Sequence, residues 1–95
     1  MARTLVFTAE AEQNLEKILS YWNTRNKSTV FCKKLTRAVL NAGNQVAKNP
    51  KLGKSTSITD FRSFKVNNYR LVYEFNDYML AIVTIQDLRQ EFNKP

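Results

Sequence analysis

Histidine is absent from this 95-residue chain. The commonest general acid or base near neutral pH is therefore missing, and every histidine-dependent triad goes with it. Cys32 is the sole cysteine, so no intramolecular disulfide can form, and one thiol without imidazoles cannot build a transition-metal site of the nitrogen and sulfur type. Cys32 reads instead as a small buried hydrophobe. The eight carboxylates show no calcium-loop spacing, and two glycines are too few for a phosphate-cradling loop. No motif calls for a cofactor. Two prolines beside those two glycines also argue against a linker-rich or low-complexity chain, so the whole length is expected to fold. The longest apolar run, Met79 to Ile85 with Thr84 inside it, is far too short to cross a bilayer. The basic residues are scattered and do not line one amphipathic helix, which disfavours a membrane surface as partner. No signal peptide is visible at Met1, and the cytoplasm is the default expectation.

What the chain does have is positive charge. Fifteen Lys and Arg against eight Asp and Glu give a net charge of +7, which on so small a surface favours association with nucleic acid or an acidic protein. Hydrophobic residues at 43% and charged residues at 24% are ordinary globular composition. The length suits one domain over residues 1–95, and a chain of this size buries only about 60 to 65% of its unfolded surface.

Leu5, Val6 and Phe7 form a short apolar run ahead of a helix-start signal, with Thr8 followed by Glu10 and Glu12 in the first turn. Ala11, Leu15, Ile18, Leu19 and Trp22 then recur at helical spacing, which predicts a helix to about Asn23 and a break from Asn23 to Lys27. Ser28 or Thr29 could cap a second helix whose stripe is Phe31, Leu35, Ala38, Ala42 and Val46. That helix should stop at Asn49 and Pro50, because the residue before proline is pushed out of the helical region. Lys51 to Asp60 reads as a loop. Asn67 and Asn68 sit between two alternating runs, as expected of a two-residue hairpin turn that needs positive φ. Asn76 and Asp77 supply another turn, and Met79 to Ile85, apolar on both faces, reads as a central strand. The predicted fold is α+β: an N-terminal strand, an antiparallel two-helix hairpin, then three antiparallel strands, with the helices packed on one face of the sheet.

Function concentrates on the hairpin from Phe61 to Phe75, FRSFKVNNYRLVYEF, which carries Arg62, Lys65 and Arg70. Cations on strands can grip an anion, and Arg and Lys can clamp a phosphodiester and stabilise the charge of its transition state without a metal. At strand period Lys65 shares a face with Phe61 and Ser63, whereas Arg62 goes with Phe64 and Val66. Tyr69 and Tyr73 share a stripe with Leu71 and Phe75, which makes them core residues before they are base-stacking ones. Trp22 reads likewise as packing. Lys33, Lys34 and Arg37 form a solvated face of the second helix.

Four segments together resemble the RelE/ParE family of toxins from bacterial type II toxin–antitoxin modules, associated with plasmid stabilisation. They are FTAEAEQNLEKILSYW, NPKLGK, FRSFKVNNYRLVYEF and IQDLRQ, of which YRLVY is the most specific. The resemblance implies a compact strand, helix, helix, three-strand fold and an acidic antitoxin partner suited to the +7 charge; a homodimer is left open. It also implies one of two targets. RelE-like members cleave messenger RNA on the ribosome, whereas ParE-like members poison DNA gyrase without cutting RNA. For a ribonuclease the resemblance places Arg70 at the transition state with Lys65 close to a hairpin lysine, and Arg62 matches a basic position of ParE-like members. Ribonuclease members carry a Tyr, or a His followed by Tyr, near the C-terminus, where this chain has Asp87, Leu88, Arg89, Gln90 and Phe92. The candidate binding set for phosphate or partner is thus Arg62, Lys65, Arg70, Asp87, Arg89 and Gln90. The helical hairpin with Tyr21 and Trp22, followed by NPKLG, favours the ParE side. A degenerate domain that binds only nucleic acid or antitoxin is the third reading, and whether the chain is an enzyme at all stays open.

Overall fold

The computed structural model describes residues 3–26, 29–56 and 60–88. Strand β1 (Thr4–Phe7) leads through Thr8 into helix α1 (Ala9–Asn26). Thr8 caps that helix as its sequence suggests: its Oγ1 accepts from the Ala11 amide at 3.1 Å and donates to the Val83 carbonyl at 2.9 Å. The helix runs one turn beyond the expected end near Asn23, since neither Gly nor Pro interrupts it and the Arg25 guanidinium lies 5.7 Å from the Tyr21 ring one turn earlier. Helix α2 (Thr29–Lys48) follows and ends before Asn49 and Pro50, as the proline requires. Ser28, the other capping candidate, lies outside the described residues.

Where a loop was expected after α2, the chain makes a 3-10 turn (Pro50–Leu52) and a short strand β2 (Lys54–Ser55). Two paired residues carry too little pattern to be seen in sequence, and β2 exists only because β3 (Arg62–Val66) offers it an edge, Lys54 opposite Ser63 and Ser55 opposite Arg62. Strand β4 (Tyr69–Phe75) pairs antiparallel with β3 across a two-residue turn in which Asn67 takes φ 55°. At the next turn the Asn76 side chain accepts from the Tyr78 and Met79 amides, both at 2.8 Å. Strand β5 (Met79–Asp87) pairs antiparallel with β4 and parallel with β1, giving one five-stranded sheet in the order β1-β5-β4-β3-β2.

The apolar run of β5 owes its two-faced character to a bulge. Val72 faces Thr84 while Tyr73 faces Ile82, so Val83 is the extra residue, and the buried positions jump from Leu80 and Ile82 to Ile85. Helix α1 satisfies the backbone that the bulge frees: Asn14 Oδ1 accepts from the Ile85 amide at 3.0 Å and from Thr84 Oγ1 at 2.9 Å. Both helices lie on one face of the sheet. Leu35, Val39, Ala42, Val46 and Ala47 of α2 with Ala11 of α1 meet Tyr69, Leu71, Tyr73, Leu80, Ile82 and Ile85. Each large side chain buried there contributes on the order of 1.5–3 kcal/mol of transfer free energy. Tyr69 and Tyr73 are core residues, and Trp22 packs against them, donating from Nε1 to the Tyr69 hydroxyl at 2.6 Å. Phe75, which shares the stripe of those two tyrosines in the sequence, is instead 37% exposed, with the Arg3 guanidinium 5.2 Å from its ring. Cys32 is only half-buried, its Sγ donating to the Leu19 carbonyl at 3.4 Å.

Candidate functional site

Among the described residues no helix covers the second face of the sheet, and the period of two along β3 and β4 decides which side chains reach it. Lys65 and Arg70 are direct cross-strand partners, and Arg70 in turn faces Gln86 on β5. Arg70 Nη1 donates to Gln86 Oε1 at 3.4 Å, a long contact that orients the guanidinium loosely and leaves most of its donors for other partners. Arg70 lines a cleft of about 590 Å³ with Lys54, Phe61, Ser63, Val72 and Gln86 among others, and Lys65 stands next to it as the cross-strand partner of Arg70. Like charges placed opposite each other on neighbouring strands destabilise a sheet. Two facing cations of this kind form a surface with the charge to hold an anion.

The structure separates the remaining sequence candidates. Arg62 pairs with Tyr73 and so faces the helical side, where its Nη1 donates to the Gly53 carbonyl at 2.8 Å. The hollow it lines also holds Asp60 and Glu74, carboxylates that would repel an anion. Asp87 pairs with Tyr69 and lines a cavity of about 290 Å³ on the helical side with Asn14, Lys17 and Trp22. The partners of Arg62 and Asp87, Tyr73 and Tyr69, lie four residues apart on β4, roughly 13 Å along the strand. Only Lys65 and Arg70 of the candidate set therefore share one surface among the described residues. Arg89 and Gln90 lie outside the described residues.

Gln86 and Lys54 are site residues that sequence reading missed. Uninterrupted alternation from Met79 does not mark Gln86 as a neighbour of Arg70, because the bulge at Val83 changes the phase. Lys54 sat in a presumed loop. A usable signal did exist for Gln86, since Leu80, Ile82 and Ile85 can all be buried only if one residue is inserted between them.

Arg62 belongs to a different construction. The Tyr73 hydroxyl donates to the Pro50 carbonyl and accepts from the Gly53 amide at 3.0 Å, and the Gly53 carbonyl takes the Arg62 guanidinium. The proline and glycine of NPKLGK and the last tyrosine of YRLVY are thus two halves of one buried joint. Burial pushes the Tyr73 phenol above its ordinary value, while the Gly53 amide and the Arg62 charge pull the other way. That hydroxyl is a structural donor held neutral, and it points away from the cationic cleft.

Comparison with known proteins agrees with this architecture. The family described as ParE toxin of type II toxin-antitoxin system, parDE, matches residues 5–92. No curated protein matches the chain. Among solved structures, the chromosomal ParDE system from P. aeruginosa superposes with TM-score 0.74 at 11% identity, covering 92% of this chain and 97% of that one. The toxin–antitoxin complex RelBE2 from Mycobacterium tuberculosis gives 0.70 at 19% identity, covering 92% of each. The YoeB dimer from Staphylococcus aureus gives 0.55 at 19% identity, covering 90% of this chain and 97% of that one. At such identities the likeness is one of fold. With the family match spanning nearly the whole chain, and the strand, helix, helix and antiparallel strands in place, this protein belongs to the ParE toxin family of type II toxin–antitoxin systems, within the RelE/ParE superfamily.

Proposed function

We propose that this toxin arrests growth by binding DNA gyrase as a non-enzymatic poison, with the cationic open face of its sheet as one contact. The observation that carries this reading is the lining of the cleft. Beside Lys65 and Arg70 the described lining holds no Tyr, His, Cys, Asp or Glu, and the sequence from Leu88 to Pro95 has neither Tyr nor His. Such a surface can hold an anion and stabilise charge, but general acid–base cleavage of RNA also needs a group that moves protons. The four tyrosines do not serve: Tyr69 and Tyr73 are buried under the helices, Tyr21 is on α1 and Tyr78 is at the β4–β5 turn. Membership of the ParE family weighs in the same direction. The partner that restrains the toxin is an acidic antitoxin, which suits the +7 charge; the related P. aeruginosa and M. tuberculosis structures are of toxin–antitoxin systems.

Supercoiling by purified gyrase in the presence of the toxin tests the target, with cleavage of a translated message run in parallel. Gyrase is expected to stop at micromolar toxin while the message stays whole. Active gyrase together with a message cut in an Arg70-dependent manner would transfer the assignment to a ribosome-dependent endoribonuclease. Co-expression with a small acidic protein encoded beside the toxin is expected to restore growth.

A further inference from the structure

From Lys17 to Thr59 the sequence runs 43 residues without an Asp or Glu and carries nine Lys or Arg. Helix α2 lies wholly inside that stretch. Its Lys33, Lys34, Arg37 and Lys48 are all exposed, and no carboxylate among the described residues pairs with any of them. At 3.6 residues per turn, Lys33, Arg37, Asn44 and Lys48 fall within roughly 60° of arc on the side opposite Leu35, Val39 and Val46, and span about 22 Å of helix. Leu35, Val39 and Val46 are the buried residues of α2 that face the sheet. The cationic stripe therefore looks outward from the helical layer, on the far side of the molecule from Lys65 and Arg70. A shallow groove beside it adds Asn41, whose side-chain amide can donate to phosphate oxygens.

We propose that the outward face of α2 is a phosphate-contacting surface for duplex DNA. The charge calls for a polyanion, and the shape selects among polyanions. A straight rigid row of cations matches the regular spacing of phosphates on a duplex. Single strands are held by aromatic platforms, and this stripe has none. An acidic protein would need apolar anchors clustered at the centre of its interface, whereas the exposed apolar side chains of this sector, Val30 at 59% and Leu40 at 43%, stand ten residues, about 15 Å, apart along the helix and form no common patch. The inference does not rest on gyrase as target, because it concerns a different face and a direct contact with DNA.

Fluorescence anisotropy of the full chain with a labelled duplex of about 20 base pairs, across a salt series, reads the contact directly. Three cations on phosphates predict a slope of log K against log salt of about −2.7, and replacing all three should remove most of it. The triple variant Lys33→Gln, Arg37→Gln, Lys48→Gln should accordingly bind at least about tenfold more weakly at low salt. Its melting temperature should stay at the wild-type value, since all three positions are exposed. Lys33→Arg with Lys48→Arg, which keeps the charge, should bind as wild type. The proposal is overturned if the wild type ignores duplex at low salt or if the triple variant keeps both affinity and slope. It is overturned equally if a single strand of the same length binds more tightly, or if the loss appears in Lys65→Gln with Arg70→Gln and not in the α2 variant.

Discussion

Lys65 stands directly opposite Arg70 in the β3–β4 ladder, and the described lining of the cleft beside them contains no carboxylate. Facing cations of this kind cost a sheet on the order of 0.2–1 kcal/mol. Lys65→Gln should therefore raise stability by a few tenths of a kcal/mol, and Lys65→Glu, which makes an ion pair with Arg70, by up to about 1 kcal/mol. Growth arrest should weaken in the same two variants. Urea denaturation beside an induction assay checks both halves, and a loss of stability in Lys65→Glu would show that the pair is not repulsive.

Arg62 and Arg70 should part company under the same measurement. Arg62→Ala removes a charged donor from the Gly53 carbonyl in a half-buried contact, at a cost of roughly 1.5–3 kcal/mol before solvent access reduces it. Arg70→Ala gives up only a long contact to Gln86, so its denaturation midpoint should move little while toxicity falls. Equal midpoints for the two variants would contradict the opposite faces assigned to them.

Gly53 is needed for space, since its backbone at φ −76° and ψ 160° is open to any residue. A Cβ there would lie 2.2 Å from Tyr73 Oη and 2.8 Å from the Ser63 carbonyl. Gly53→Ala should cost about 1–3 kcal/mol through overpacking and should shift the amide signals of Pro50's neighbours and of β2 in a nitrogen–proton correlation spectrum. Wild-type stability in this variant would mean that the joint yields more readily than its contacts suggest.

Tyr73 sets a pH dependence. Its phenol ionises less readily in the folded chain than in the unfolded chain, where it loses its proton near pH 10. The folded state thus keeps a proton that the unfolded state gives up. The stabilising contribution is fully present below about pH 10 and is lost as pH rises through the folded value. Tyr73→Phe should flatten that alkaline fall, and at neutral pH it should destabilise by about 1–3 kcal/mol, because the buried Gly53 amide and Pro50 carbonyl lose their partner. An unchanged alkaline slope in Tyr73→Phe would assign the titration to another group.

Legibility in the sequence followed how local each cause was. Thr8 could be read as a helix cap because the group it satisfies, the Ala11 amide, is three residues away. Asn67 announced a turn by its tolerance of positive φ, and Pro50 announced the end of α2 by sterics with its own neighbour. The alternation of Tyr69, Leu71 and Tyr73 identified the buried face of β4 for the same reason, since a strand's two faces are built into its backbone. The bulge at Val83 was illegible because its cause lies elsewhere: Thr8 and Asn14, some 70 residues earlier in the chain, supply the partners that its backbone needs.

By itself, then, the sequence determined the order of the two helices and the four longer strands, the buried face at Tyr69, Leu71 and Tyr73, and the chemistry open to a chain without histidine. These are short-range matters of propensity and period. Tertiary structure alone decided that Lys65 and Arg70 form a pair while Arg62 serves a buried joint with Tyr73 and Gly53, that Gln86 joins the cationic cleft and Asp87 does not, and that the cations of α2 look outward from the opposite side. Register between strands, and the side on which the helices come to rest, fix those relationships. Both follow from burying the whole apolar set at once, which no local window of the chain contains.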